Sequence, residues 1–384
     1  MPETPKNQLA TLLQQQISTQ GPIPFVDFMA QALYHSEHGY YMTPRQRIGK
    51  QGDFFTSSSV HALFGQLVAR QLVQMWELLG RGGFAVVEQG AGEGHFALDI
   101  LSALKTDAPE FYEQIDYVLL DVSPDNRQRQ RTVLKQHAEK VRWGEFGQLK
   151  NLEGCFLSNE LIDAFPVRLL EKQQGEFREV FVGCDEQGKF QEVLLAPRDA
   201  AVADHFAWLG VQPVDGNRFE VNLTAVDWMR QVAGILKRGF VITIDYGYPA
   251  EELYAPFRRD GTLMCYRQHQ ADENPLLEVG EKDLTTHVDF TALQKAGAES
   301  GLDSLCFLEQ YRFLLGLGFV EALMELQMKT TDEQQARALR LSLKNLIMPE
   351  GGMGETFKVL IQGRGVGRPD LLCQRDIARI PAAF

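Results

Sequence analysis

Apolar residues recur with two different periods along this chain. Helical spacing, with apolar positions three and four apart, covers about residues 6–19, 25–34 and 60–79; the last stretch carries Leu63, Phe64, Leu67, Leu72, Met75, Trp76 and Leu79 on one side. Strand-like runs then alternate with helical ones. Val86-Val87 and Tyr117-Val118-Leu119-Leu120 predict two strands, Val141-Arg142-Trp143 a third, and Cys155 to Glu160 a fourth. A helix about 225–237 precedes the apolar run Phe240 to Ile244, and strand-like segments near 302–308 and 356–362 follow with helical sequence between them. This alternation predicts an α/β, doubly wound, seven-stranded sheet. From Pro166 to about Asn222 the rhythm breaks into short alternating strands such as Phe177 to Val182 and Phe190 to Leu195, which predict a β-rich insertion. The expected organisation is an N-terminal helical segment over 1–80, a core over 81–165 and 224–365, an insertion over 166–223 and a tail over 366–384. Within the first segment, His35 to Ser58 is too long for a simple connector and holds Gly39-Tyr40-Tyr41 and Gly52-Asp53-Phe54-Phe55; it predicts a lid or binding loop.

The first predicted strand ends in Glu88-Gln89-Gly90-Ala91-Gly92-Glu93-Gly94, and Ala97, Ile100, Leu101 and Leu104 then continue at helical spacing. Alternating glycines between a strand and a helix let the backbone turn tightly and approach a ligand closely. Two ligand classes use such a turn. A dinucleotide loop reads G-x-G-x-x-G, yet His95 stands where its third glycine belongs. The carboxylate of Glu88 at the strand end would repel a diphosphate and attract a cation. S-adenosylmethionine carries a sulfonium and an amino group and no phosphate, so charge complementarity favours it. Asp121 falls at the carboxyl end of the second strand, where an acid can accept the hydroxyl hydrogens of a ribose; the alternative is a turn or capping aspartate before Pro124.

The formal net charge of −13, from 38 basic and 51 acidic residues, argues against nonspecific nucleic-acid binding. Five cysteines form no C-x-x-C pair and share no ligand spacing with histidine, so no metal site is expected and reduced thiols are. Residues 1–20 show neither an apolar signal core nor an arginine-rich transit pattern, and no run approaches the roughly 18 apolar residues of a membrane span. A cytoplasmic location is the expectation.

After the fourth strand comes Asn159-Glu160-Leu161-Ile162-Asp163-Ala164-Phe165-Pro166, which would lie beside the reactive end of a cofactor bound by the first two strand–helix units. Glu160 and Asp163 are three residues apart and would share a helical face, a pair able to grip a guanidinium. The alternative is a capping Asn-Glu and a surface aspartate.

These segments, together with Leu98 to Leu101, Val122-Ser123-Pro124, Asp245-Tyr246-Gly247 and His287-Val288-Asp289-Phe290, resemble the MidA-like family from about residue 20 to 365. That family includes a mitochondrial complex I assembly factor that methylates arginine. The resemblance implies a class I methyltransferase, Rossmann-like fold, S-adenosylmethionine as methyl donor and a protein substrate bearing a target arginine. By position, Glu88, Gly90 and Gly92 would hold the methionine end, Asp121 with Ser123 the ribose side, and Trp143 the adenine; Asn159 and Glu160 would face the transferred methyl.

An arginine with a pKa above ~12 is protonated and a poor nucleophile, so a carboxylate must orient it and take up its proton. Glu160 is the first candidate for that role, followed by Asp53, Asp163 and His287, the last able to relay a proton with Asp289 if it is not a structural histidine. A small-molecule methyltransferase and a non-catalytic assembly protein using the same pocket are the alternatives. The helical segment 319–348 offers a face for a homodimer or a substrate, although such faces are more often core.

Overall fold

A computed structural model describes residues 7–45, 61–268, 270–329, 341, 343–344, 346–348 and 353–376. Two compact units divide the chain: one combines Phe55–Leu161, Met229–Tyr246 and Ala296–Phe384, the other Met1–Phe54, Ile162–Trp228 and Gly247–Lys295.

The first unit is built on β1 (Phe84–Gln89), β2 (Ile115–Leu120), β3 (Val141–Trp143), β4 (Leu152–Asn159), β5 (Leu236–Tyr248), β6 (Asp303–Glu309) and β7 (Phe357–Arg364), in the order β6-β7-β5-β4-β1-β2-β3. The five strands from β3 to β5 are parallel, and β7 runs antiparallel to both β5 and β6. Parallel neighbours need crossover connections, which is why helices alternate with these strands in sequence. Both faces of the sheet are covered: Val86 and Leu157 on one, Val87 and Phe156 on the other, are fully buried. That explains why β5 reads as a continuous apolar run rather than an alternating one. The helices Leu63–Leu78 and His95–Asp107 place Phe64, Leu67, Ile100 and Leu101 in the same core as Val86 and Leu157. The sheet is the seven-stranded one expected. An eighth short strand, Val288–Asp289, pairs with the end of β5 at Gly247 and Tyr248, residues of the second unit.

The second unit contains a five-stranded sheet in which Ile23–Pro24, Glu176–Cys184, Arg168–Gln173 and Arg218–Val221 lie side by side and Phe190–Leu195 pairs with Glu176–Cys184. Residues 166–223 supply four of these strands and are not a unit by themselves. The apolar faces of Gln8–Gln20 (Leu9, Leu13, Ile17) and Phe25–Tyr34 (Phe25, Phe28, Met29) share one core with Leu169, Val180 and Val182. Residues 247–295, which the sequence reading grouped with the core, belong here too: Cys265, Val279 and Leu284 lie in that same apolar cluster. Segments far apart in sequence thus bury one another.

Gly154 and Gly239 sit at φ +148° and +141°, and a methyl at Gly154 would fall 2.0 Å from the Ala85 carbonyl oxygen on β1. Backbone conformation and crowding both forbid a side chain there. Gly154→Ala is expected to destabilise the sheet unit by about 2–4 kcal/mol, read as a lowered melting temperature by near-UV circular dichroism; an unchanged melting temperature would contradict this account of the register.

Candidate cofactor and methyl-transfer site

The glycine turn takes the shape its sequence calls for. Gly90, Gly92 and Gly94 have φ of 76°, 53° and 89°, all in the left-handed region. The Gly90 N–H donates to the Leu120 carbonyl at 2.9 Å, joining the turn to β2, and the Gly94 N–H donates to the Ala91 carbonyl at 2.9 Å. Gly94 is the N-cap of the helix His95–Asp107. A methyl at Gly90 would come within 2.9 Å of Leu161 Cδ1, so the strand end stays open only because no side chain is there.

Glu88, the penultimate residue of β1, is buried, and its Oε2 accepts from the Tyr117 hydroxyl at 2.6 Å. Burial pushes its carboxyl up to about 7, and the nearby Asp121 charge adds to the rise, while the tyrosine hydrogen bond opposes it. No ion pair reaches Glu88 among the described residues. Tyr117 was not anticipated; its only sequence signal is a tyrosine in an apolar strand, whose hydroxyl needs a partner when buried.

Asp121 is buried just beyond β2. Its Oδ1 accepts from the Ser123 N–H at 2.8 Å, and its Oδ2 from Gln130 Nε2 at 2.9 Å and Asn126 Nδ2 at 3.2 Å. Burial raises its pKa, against the lowering effect of those hydrogen bonds. The shortest bonds fix the orientation of the carboxylate, and the longer Asn126 bond is the one a ribose hydroxyl could most cheaply replace. Ser123 caps the helix Pro124–Val133, with Pro124 in its first turn. Val122, between them, is 64% exposed, an apolar surface beside the acid that suits a nucleobase. The Trp143 indole N–H donates to Gln130 Oε1 at 2.8 Å, and the Arg131 guanidinium lies 4.9 Å from the indole ring. Gln130 is thus a further site residue that sequence reasoning missed. Its one signal was its position four residues after Asn126, on the same face of a polar helix.

At the end of β4, Asn159 Nδ2 donates to Glu160 Oε1 at 3.1 Å. Asn159 is 9% exposed and its carbonyl Oδ1 is buried with no hydrogen-bond partner among the described residues. Glu160 has φ +51°, the left-handed conformation, and its N–H donates to the Ile244 carbonyl at 2.9 Å. The buried carboxylate of Asp245, on β5, accepts from the Leu161 N–H at 3.2 Å and the Tyr246 N–H at 2.9 Å, so it holds the backbone on which Glu160 is displayed. Asp245 was recognised in a motif but given no role from sequence.

Residues 160–165 form turns rather than a helix, so the three-residue spacing does not put Glu160 and Asp163 on a shared helical face. Asp163 and His287 belong to the second unit, where the Asp163 carbonyl accepts from the Thr286 N–H at 2.9 Å. The His287 N–H donates to Thr262 Oγ1 at 3.0 Å, and burial, helped by Arg258, lowers its pKa to about 4, so the ring is neutral near pH 7. His287 precedes the two-residue strand Val288–Asp289, and Asp289 Oδ1 accepts from the Ala292 N–H at 2.9 Å, capping the helix Phe290–Glu299. Asp53 and the rest of the proposed lid from residue 46 on lie outside the described residues. In the segment 319–348, Phe319, Val320, Ala322 and Leu323 of the helix Phe319–Lys329 are buried as core.

These groups suit a cationic nucleoside. Among the described residues, Glu88 offers a buried acceptor with no counter-ion and the Asn159 carbonyl, unpartnered, can accept from an amino group, while the backbone at Gly90 carries no side chain.

Comparison with known proteins agrees. Residues 67–308 match the family described as "Putative S-adenosyl-L-methionine-dependent methyltransferase". Among curated proteins, the chain is 28% identical to a Drosophila melanogaster protein named "Protein arginine methyltransferase NDUFAF7 homolog, mitochondrial", covering 95% of this chain and 86% of that one. It is 25% identical to the Homo sapiens "Protein arginine methyltransferase NDUFAF7, mitochondrial", over 92% and 83% of the two chains. Among solved structures, a Burkholderia thailandensis protein described as a "likely methyl transferase" and bound to S-adenosyl-homocysteine matches with a TM-score of 0.87 and 35% identity, covering 95% of this chain and 94% of that one. With that family matched across well over half its length, the chain belongs to the S-adenosyl-L-methionine-dependent methyltransferases whose MidA-like character its motifs display.

Proposed function

We propose that this methyltransferase modifies the guanidinium of an arginine on a protein partner. The observation that carries this reading is the Asn159–Glu160 pair, a carboxylate and an unpartnered buried carbonyl displayed together at the end of β4. The names of the curated relatives support the choice of acceptor. Glu88, Gly90 and Gly92 hold the methionine end of the cofactor, Asp121 and Ser123 the ribose side, and Trp143 with Val122 the adenine. When bound there, the cofactor supplies an electrophilic methyl carbon on a sulfonium.

The protein's contribution is alignment and proton management. A guanidinium is protonated at any pH the protein meets, so Glu160 orients it by charge-assisted hydrogen bonds and its carboxylate takes up the proton as nitrogen gains the methyl. Asn159, hydrogen-bonded to Glu160 Oε1, fixes the carboxylate and presents its own carbonyl to an N–H. Asp163, Asp53 and a neutral His287 are the secondary candidates for the proton. No described helix is long and apolar enough to cross a membrane.

Three measurements test this reading. Radiolabel from the methyl donor should appear as ω-N-methylarginine in hydrolysed protein; label confined to low-mass products would make the acceptor a small molecule. Glu160→Gln should bind S-adenosylmethionine normally by calorimetry and lose transfer at least about a hundredfold, while Glu160→Gly, which suits φ +51°, should be equally inactive with an unchanged or slightly higher melting temperature. Full activity in either variant removes Glu160 from the mechanism. Finally, Glu88 is an acid whose pKa is raised on folding, so its protonated form prevails below about 7, and the charged form that attracts the sulfonium nucleoside appears as pH rises through that value. Cofactor affinity should therefore increase between pH 6 and 7.5, by up to about eightfold from the ratio of ionised fractions, and Glu88→Gln should flatten the profile. A wild-type profile that is already flat would refute the charge pairing.

A further inference from the structure

Gln130 is fully buried on the helix Pro124–Val133 and spends its whole amide on three separate parts of the site. Its Nε2 donates to the Gly92 carbonyl at 2.8 Å and to Asp121 Oδ2 at 2.9 Å, and its Oε1 accepts the Trp143 indole N–H at 2.8 Å. One side chain therefore ties the glycine turn after β1, the acid after β2 and the aromatic of β3. Resting on the assignment of those three elements to the cofactor, we propose that Gln130 is the positioning residue that sets the geometry of the adenosyl half of the S-adenosylmethionine site, without itself having to touch the ligand.

The chemistry of the three partners singles out glutamine. Two of them, a backbone carbonyl and a carboxylate, only accept; the third, an indole N–H, only donates. A primary amide supplies two donors and an acceptor at one terminus, a demand met with one group only by asparagine and glutamine, and here the longer glutamine spans all three partners. Glutamate would set an anion against Asp121 and an acceptor against the Gly92 carbonyl. Leucine would leave the Gly92 carbonyl and the Trp143 indole N–H without this partner and remove the shortest hydrogen bond to Asp121 Oδ2. Packing agrees with the hydrogen bonds: a methyl at Gly94 would lie 3.2 Å from Gln130 Cγ, so the third glycine of the turn makes room for this side chain. Because Gln130 holds Oδ2 while the Ser123 N–H holds Oδ1, the Asp121 carboxylate has one orientation, and the same amide fixes the tilt of the indole. A ligand that needs both surfaces then meets them already placed, which lowers the ordering cost of binding.

The test uses the full chain with S-adenosylmethionine and S-adenosyl-homocysteine as probes, calorimetric affinity and Trp143 emission as readouts, the latter in a background where Trp76, Trp208 and Trp228 are phenylalanine. Gln130→Leu is expected to weaken both probes at least tenfold and to shift the Trp143 emission as its N–H loses its partner. Gln130→Glu provides a signature that loss of packing alone does not: once protonated, the introduced acid can donate to Asp121 and accept from Trp143. The ratio of variant to wild-type dissociation constants should therefore shrink as the pH falls from 8 to 6, whereas a generally loosened fold gives a constant or growing ratio. Wild-type affinity in both Gln130 variants, or a pH-independent penalty in Gln130→Glu, overturns the proposal. Absence of binding by the wild-type chain is a different result, since it removes the cofactor assignment of the loop itself.

Discussion

The site turns on a buried carboxylate that, among the described residues, has a tyrosine hydroxyl as donor and no cation. Glu88 stands at the carboxyl end of a central parallel strand, and its elevated pKa records the cost of placing an anion there. A structural acid in that position would be expected to acquire a lysine or arginine, or to be replaced by an apolar residue at a gain in stability. The sheet instead keeps the acid beside an open glycine backbone. On the proposed assignment, the missing positive charge is what a sulfonium nucleoside carries, so the desolvation suffered by the protein alone would become attraction when that ligand arrives. The same logic runs along the strand ends. Asp121 and Asp245 are also buried, but each has backbone donors, the Ser123 N–H for Asp121 and the Leu161 and Tyr246 N–H groups for Asp245, and those donors fix backbone as much as they satisfy charge.

Much of this was legible because the signals are local. Glycines that must reach positive φ, a strand ending in an acid, and a Ser-Pro pair opening a helix each owe their structure to neighbours within a few residues, and each was found where the pattern put it. The central strands were legible too, since burial on both faces leaves an apolar run whatever the partner strand. Long-range burial was not. The N-terminal helices and residues 247–295 share a core with the insertion because Leu9, Phe28, Val180 and Cys265 cover one another, and no periodicity in any one segment names the segment that will cover it. Sequential order therefore suggested one division of the chain and packing produced another.

The Asn-Glu segment shows a subtler failure. Its spacing read as helix, and the two carboxylates were paired on that basis. The chain leaves β4 through a left-handed glutamate instead, a conformation that costs a non-glycine residue about 1–3 kcal/mol. The Ile244 carbonyl and the Asp245 carboxylate hold residues 160 and 161 in place from the next strand. Strain of that kind persists where the side chain it displays is needed, and a glycine at the same position would be free of it. The sequence pattern has no way to register a residue kept against its own backbone preference.

The third glycine of the turn separates this loop from a phosphate-binding one. In a dinucleotide loop the last glycine allows the helix to pack closely on the strand while the helix start faces the diphosphate. Here Gly94 comes one position earlier and gives its space to Gln130 of the next strand–helix unit. The position that remains carries His95, and Glu93 beside it is paired with Arg129 at 3.0 Å, so the start of this helix is ringed by side chains that already answer one another. With Glu88 behind the turn and Glu93 on it, the acids at this loop disfavour a diphosphate. A ligand that brings its own positive charge meets the opposite: an attractive strand end and a turn that the neighbouring helix holds in shape. On the proposed assignment, the same three glycines would serve a different ligand because of the acid that precedes them and the amide that packs against them.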